Sequence, residues 1–404
     1  MRVIKSLLQQ VCDVSAELWC QLVARRTSGF ARTLDRYVGI PVIAALSILP
    51  KNKTPSFDEV ERVGVLKTAA IGDTLLLASM LGALKRQFPS AQIVLITGQN
   101  NAAAAGLLAH VVDRHEIVSV RSPFAAIKRL RALHLDILLE CGPWPRYDAL
   151  ITVLSGAGYR VGFRVSGQAR HFAFDRFVDH SRDHHQMVNF QRLAESVGAD
   201  SFEQDLLPVP GVLADDRLPS VPFVVFHPYS GGYMGHVKEW PVDRWIELGR
   251  LVYTRHGVDV LVSGGPEDIA AGRDLAARLT SCGVKAASLA GEFTLPELAD
   301  ILARSSAVIS VNTGVMHLAS MLGVPTVSLE GPVPPERWGP IGPKARSVVT
   351  ALPQCGYLDL GFEYGGQRLD CMQGVSVEAV VREVAEFLPR RSVQSSDSGD
   401  GKWM

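Results

Sequence analysis

From residue 60 onward the chain alternates short apolar runs with helix-length stretches, and it does so twice. VGVLK (63–67), AQIVLIT (91–97), HEIVSV (115–120) and LDILLEC (135–141) read as buried strands. TLLLASMLGALKRQF (74–88), PFAAIKRLRAL (123–133) and a stretch from His185 to Val197 read as helices. The pattern restarts with FVVFH (223–227), VDVLVSGG (258–265), AVISV (307–311) and PTVSLEG (325–331), with helical stretches at 242–257, 267–283 and 315–323. Apolar runs without polar breaks belong to strands covered on both faces, and strand–helix alternation implies right-handed crossovers and a parallel sheet. The expected fold class is therefore α/β, with two doubly wound parallel-sheet domains facing a cleft.

A chain of 404 residues is long enough for two such cores. Between them, Pro208, Pro210, Pro219 and Pro222 mark a linker. The expected organisation is an arm at 1–58, a first domain at 59–204, a linker at 205–222, a second domain at 223–389 and a disordered polar tail at 390–404. The arm carries eight Lys and Arg against four Asp and Glu, with helix-like apolar spacing followed by the run GIPVIAALSIL (39–49). Such a segment either lies in a membrane surface or packs as a helix on the protein. The run falls short of the roughly 20 residues that a membrane span needs. No cleavable signal pattern is seen at the N-terminus, and the expected location is cytoplasmic, at the inner face of the membrane if the arm binds lipid. Formal net charge is zero, so nothing favours nucleic acid as a partner. Six cysteines lack metal-binding spacing and read as reduced thiols, with Cys355 and Cys371 the two that could lie close together.

The chemistry-bearing residues fall in loops after strands. After the first strand, Gly72 suits a turn with positive φ, and Asp73 sits where a helix is expected to begin at Thr74. Position alone makes Asp73 an N-cap, whereas a general base would have to face the cleft. GxGxxG, GxxxxGK[ST] and GxSxG patterns are absent from the strand ends, which removes support for dinucleotide dehydrogenases, P-loop hydrolases and serine hydrolases. FHPYSGGYMGHVKEWP (226–241) places Gly231, Gly232 and Gly235 beside Ser230 and Lys238, the open backbone and mobile cation that a phosphate needs. Glu267, after VSGGP, is placed either to cap a helix or to take ribose hydroxyls. VNTGVMHLASMLG (311–323) ends a strand at Val311 and starts a helix after Asn312, Thr313 and Gly314, with His317 on its first turn. The free N–H groups of such a helix form an anion site.

Three segments together resemble glycosyltransferase family 9, the heptosyltransferase-like enzymes of lipopolysaccharide assembly. They are VGVLKTAAIGDTLLLASMLGALKRQFPSAQI (63–93), FHPYSGGYMGHVKEWP and VNTGVMHLASMLGVPTVSLEGPVPPERWGP (311–340), and the match runs from about 62 to 345. The resemblance implies the GT-B fold, with Asp73 as general base. Lys238 and Ser230 would meet the donor phosphates, Glu267 the donor ribose, and Thr313, Gly314 and His317 the diphosphate. It implies no metal and no cofactor, a nucleotide-sugar donor such as ADP-heptose, and a lipid-linked glycan acceptor. One departure stands out: Asn312 occupies a position where the family has Asp, which keeps hydrogen bonding and loses charge. Two rival readings share the fold, a sugar-nucleotide 2-epimerase and a non-catalytic scaffold of envelope polysaccharide assembly.

Overall fold

The computed structural model describes residues 37–48, 50–119, 121–142, 146–201, 204–213, 218–231, 235–358 and 369–389. Among these, twelve strands form two six-stranded sheets, every strand pairing parallel to its neighbours. The first holds β1 (Arg62–Lys67), β2 (Gln92–Thr97), β3 (Arg114–Ile117), β4 (Ile137–Glu140), β5 (Tyr159–Arg164) and β6 (Arg176–Asp179), in the order β3-β2-β1-β4-β5-β6. The second holds β7 (Phe223–His227), β8 (Asp259–Val262), β9 (Ala286–Ser288), β10 (Ala307–Val311), β11 (Thr326–Glu330) and β12 (Ala345–Val349), in the order β12-β11-β10-β7-β8-β9. Read from β9, the second order repeats the first. Each sheet therefore reverses direction once, between β1 and β4 in the first and between β7 and β10 in the second. Ligands in open α/β sheets bind at that reversal, beyond the carboxyl ends of the strands.

The helices are α1 (Gly39–Leu46), α2 (Ile71–Leu75), α3 (Ala78–Gln87), α4 (Ala103–Leu107), α5 (Pro123–Ala132), α6 (Arg146–Val153), α7 (Gln186–Glu195), α8 (Val242–His256), α9 (Ile269–Ser281), α10 (Leu295–Arg304), α11 (Gly314–Met321), α12 (Pro335–Trp338) and α13 (Val377–Ala385). Alternate residues of β2 serve different layers: Ile93 and Leu95 join one apolar cluster, Val94 and Ile96 another. That is why the strand is apolar throughout. Each such side chain contributes on the order of 1.5–3 kcal/mol on burial. The first cluster also crosses between the halves, since Leu318, Ala319 and Met321 of α11 and Ile301 and Leu302 of α10 belong to it with the residues of α2 and α3.

Several expectations change. The helix expected over 74–88 begins at Ile71 and is divided, because Leu77 N–H bonds the Thr74 carbonyl (3.2 Å), three residues back, and tightens the turn. Positive φ belongs to Ala70 (70°) and not to Gly72. The Pro-rich loop 330–340 contains the short helix α12. Strands β5, β6, β9 and β12 carry too few consecutive apolar residues to show a strand period. Cys355 and Cys371 form a disulfide with Cα atoms 5.8 Å apart, overturning the reading of all six cysteines as thiols, while Cys141 and Cys282 are free. The Pro-rich segment after 205 is fastened to the second half: buried Asp300 accepts the N–H groups of Gly211, Val212 and Leu213 at 2.6–2.8 Å.

Most of the basic arm and the whole polar tail lie outside the described residues, as does Gly232. The described part of the arm includes α1, which buries Ile43 against Ala149, Val153, Ala173 and Phe174. Tyr37, Val38, Val42 and Ile48 remain exposed. No helix among the described residues is long and apolar enough to cross a membrane.

Candidate functional site

The two reversal points meet. A Cβ on Gly72 would lie 2.8 Å from His317 Cδ2 and 3.2 Å from Gly314 Cα, and a Cβ on Gly314 would lie 3.1 Å from Gly72 N. The loop after β1 thus touches the head of α11 with no room for a side chain on either glycine. Gly72 is needed for this approach and not for its own dihedral angles.

Asp73 is the third residue of α2 and caps nothing; Ala70 occupies the cap position without a side-chain hydrogen bond. The capping role open to Asp73 in the sequence is overturned. Lys67, the last residue of β1, instead donates to Asp73 Oδ2 at 2.8 Å. Oδ1 takes no hydrogen bond from the described residues, and the side chain keeps 18% of its surface exposed. One oxygen is anchored and the other is open. The polar side chains nearest this pair, Thr68 and Asn101, are hydrogen-bonded, while buried Arg170 leaves Nε and Nη1 without a partner among the described residues. Thr68 Oγ1 donates to Asp148 (2.7 Å), Asn101 Nδ2 donates to Thr74 Oγ1 (2.7 Å) and the Lys67 carbonyl (2.8 Å), and Glu140 pairs with buried Arg170. Lys67 was not singled out in the sequence, since a lysine closing an apolar strand gives no sign of whom it faces.

Across the contact the polar groups are unmet. Thr313 stands at the N-cap of α11 with extended backbone, but its side chain makes no capping bond. Its Oγ1, Ser230 Oγ and His317 Nδ1 are buried with no partner among the described residues. Leaving such atoms bare costs about 1–3 kcal/mol each, so a group that fills them gains that back. The N–H groups at the head of α11 add partial positive charge. Lys238, half-buried at the end of a short turn (Gly235–Lys238), donates to the Asn312 carbonyl at 3.3 Å. Burial pushes its ammonium down, while Glu330, Glu239 and Asp73 hold it up.

His317 is pushed down to about 3, chiefly by burial, with His185 and Lys238 adding to the effect and Asp73 opposing it. Its ring is therefore neutral, and it presents Nδ1 as an uncommitted donor or acceptor. His185 crosses between the halves. Its Nδ1 accepts Met187 N–H at the head of α7 (3.2 Å), so Nε2 carries the hydrogen and donates to the Gly339 carbonyl (3.1 Å). Nothing in the sequence marked it, because its partner is 154 residues away.

Glu267 lies exposed in a turn (Pro266–Asp268), and its Oε1 is 3.9 Å from where a Cβ of Gly231 would sit. The capping alternative belongs to Asp268, whose Oδ2 accepts Gly265 N–H at 2.8 Å. Glu267 itself makes no hydrogen bond or ion pair with the described residues. Asn312 explains itself locally: its Nδ2 donates to the Glu330 carboxylate (3.1 and 3.0 Å) and to the Trp338 carbonyl (2.9 Å). An aspartate there would face two acceptors. Among the described residues no group of three or more His, Cys, Asp or Glu is arranged to hold a metal ion.

Two α/β domains with opposed reversal points, one offering an open carboxylate and the other an uncapped helix head with bare hydroxyls, make up the site. The model of glycosyltransferase family 9 (heptosyltransferase) matches residues 124–357, and the chain belongs to that family. It is 35% identical over 150 residues to lipopolysaccharide heptosyltransferase 1 of Pseudomonas aeruginosa, covering 37% of this chain and 38% of the relative. It is 32% identical over 128 residues to lipopolysaccharide heptosyltransferase 2 of Escherichia coli, covering 31% and 36%. The aligned part thus spans under two fifths of the length of these relatives. The solved structure of E. coli ADP-heptose lps heptosyltransferase II superposes with a TM-score of 0.64 at 21% identity, over 81% of this chain and 98% of that one, which establishes the GT-B fold.

Proposed function

We propose that the chain is an inverting heptosyltransferase that moves a sugar from an ADP-activated donor to a lipid-linked glycan in lipopolysaccharide assembly, without a metal ion. The observation that carries this reading is the contact of Gly72 with Gly314, which sets the open carboxylate of Asp73 beside the uncapped head of α11. The donor lies along the second half. Its diphosphate takes the N–H groups of α11 and the bare hydroxyls of Thr313 and Ser230, and Lys238 supplies the cation. His317 borders that cradle, Gly314 allows close approach, and the Oδ1 of Asn312 is free for a donor hydroxyl. Glu267 takes the ribose hydroxyls.

The acceptor occupies the first half. Asp73 Oδ1 removes the proton of its hydroxyl while the oxygen attacks the anomeric carbon opposite the leaving ADP. Charge then builds on the diphosphate, where fixed dipoles and Lys238 stabilise it. Lys67 keeps the carboxylate aimed. The exposed apolar residues of α1, with the basic arm before it, would face the membrane that holds the acceptor.

A positioned base contributes about 10² to 10⁴ in rate. Asp73→Asn is therefore expected to lose that much turnover with ADP-heptose while ADP affinity, measured by calorimetry, stays within about threefold. Turnover near that of the unaltered enzyme would remove Asp73 from the role. Deleting residues 1–36 should move the protein out of the membrane fraction; no shift would remove the arm from its role.

A further inference from the structure

Glu330 ends β11 with no exposed surface, directly behind the head of α11. Its carboxylate accepts Ser328 Oγ at 2.6 Å and Asn312 Nδ2 at 3.0 and 3.1 Å. The same nitrogen also bonds the Trp338 carbonyl, so both amide hydrogens of Asn312 are engaged and Oδ1 takes nothing from the described residues. The main-chain carbonyl of Asn312 in turn holds the Lys238 ammonium. Carboxylate, amide and ammonium therefore form one connected unit behind the diphosphate cradle.

We propose that Glu330 is a positioning residue for the donor: it carries the single negative charge this unit tolerates, fixes the amide of Asn312, and sets the place of Lys238. The proposal rests on the reading of the second half as the donor side. Glu330 touches no ligand, since Asn312 stands between it and the head of α11. The other charged groups that act on it are Lys238, which favours its ionised form, and Glu336, which opposes it. Burial pushes its carboxyl up to about 7. Placing a second carboxylate at 312 would set two acids about 3 Å apart, and one of them would have to keep a proton.

The test compares Asn312→Asp, Glu330→Gln and the double variant. ADP affinity is measured by calorimetry, and the thermal midpoint is followed, both from pH 6 to pH 8. Asn312→Asp alone should bind ADP more weakly as pH rises, approaching about tenfold per unit over the range where its second carboxylate ionises. Its midpoint should fall over the same range, because its folded state holds a proton that the unfolded chain releases. The double variant again has one charge, now at 312. It should recover ADP affinity to within about threefold of the unaltered protein and lose the extra pH dependence. Glu330→Gln alone should lose the contribution of Glu330, which weakens as pH rises toward 7, so between pH 6 and pH 7 its midpoint should gain on that of the unaltered protein.

A double variant no better than Asn312→Asp, or an Asn312→Asp variant with no pH dependence, would reduce Glu330 to a packing residue. If Asn312→Asp does not fold, a folded double variant supports the proposal and an unfolded one overturns it. If the unaltered protein binds no ADP, the transferase reading fails. The pH course of the midpoints then decides this inference separately.

Discussion

The two reversal points share a strand order and differ in how their polar groups are met. At the carboxyl end of β1 the carboxylate, ammonium, hydroxyl and amide of Asp73, Lys67, Thr68 and Asn101 are bonded to one another or to close neighbours. At the carboxyl end of β10 the hydroxyls of Thr313 and Ser230 and the Nδ1 of His317 stand bare beside an uncapped helix. A satisfied network holds one group in place; an unsatisfied one waits for a ligand. The first half therefore holds a carboxylate in place, and the second leaves polar atoms bare, which is what the proposed base and the proposed anion site would each need.

Breaking the contact between the two should have the largest effect. Gly72→Ala places a methyl group against His317 and Gly314, and a misplacement of roughly 1 Å at the reacting groups costs about 10²-fold in rate. Turnover is the readout, and an unchanged rate would show that the contact is incidental. Lys238→Ala removes the cation that the proposed cradle has among the described residues. Hydrogen bonds to charged groups contribute about 1.5–3 kcal/mol, so ADP affinity should fall by roughly 10- to 100-fold in calorimetry.

His317 sharpens the comparison through pH. Its folded value of about 3 lies below its ordinary 6.5, so its neutral form stabilises the fold above pH 6.5 and that contribution is lost as pH falls toward 3. The thermal midpoint of the unaltered protein should drop on acidification from pH 6.5, and His317→Gln should drop less.

The smallest effects separate the two sides most cleanly. Thr68→Val strips a partner from buried Asp148 and should cost about 1–3 kcal/mol of stability in denaturant titration. Thr313→Val strips no partner, so stability should hold while ADP affinity falls by about 0.5–1.5 kcal/mol. Equal losses of stability in both variants would erase the distinction.

The fold was legible because β1, β2, β4 and β7 are buried and carry runs of apolar residues, and because β10 and β11 are buried too, broken only by Ser310, Thr326, Ser328 and Glu330. β5 and β6 were not, since Arg160, Arg164, Arg176 and Asp179 interrupt them; Arg160 is accommodated by an ion pair with Asp175 and Arg164 by one with Asp179. Asp73, Ser230, Lys238, Thr313, Gly314 and His317 were legible because each follows a strand end, where a loop must face the cleft. Their partners were not. Lys67 looks like part of a strand, Glu330 like the end of one, and His185 meets Gly339 only once the halves are assembled. The need for Gly72 was legible while its reason was not: the turn strain falls on Ala70, and the glycine makes room for the other half. The disulfide was hidden because sequence spacing says nothing of where Cys355 and Cys371 come to rest.

The central claim is that the bare polar atoms at the head of α11 hold a diphosphate opposite Asp73, and a crystal structure of the chain soaked with ADP tests it directly. The account predicts diphosphate oxygens within about 3.2 Å of Thr313 Oγ1, the first N–H groups of α11 and Lys238 Nζ, the distance of a hydrogen bond, with Asp73 Oδ1 facing the terminal phosphate. ADP bound elsewhere, with Thr313 Oγ1 and Ser230 Oγ still bare, would contradict it.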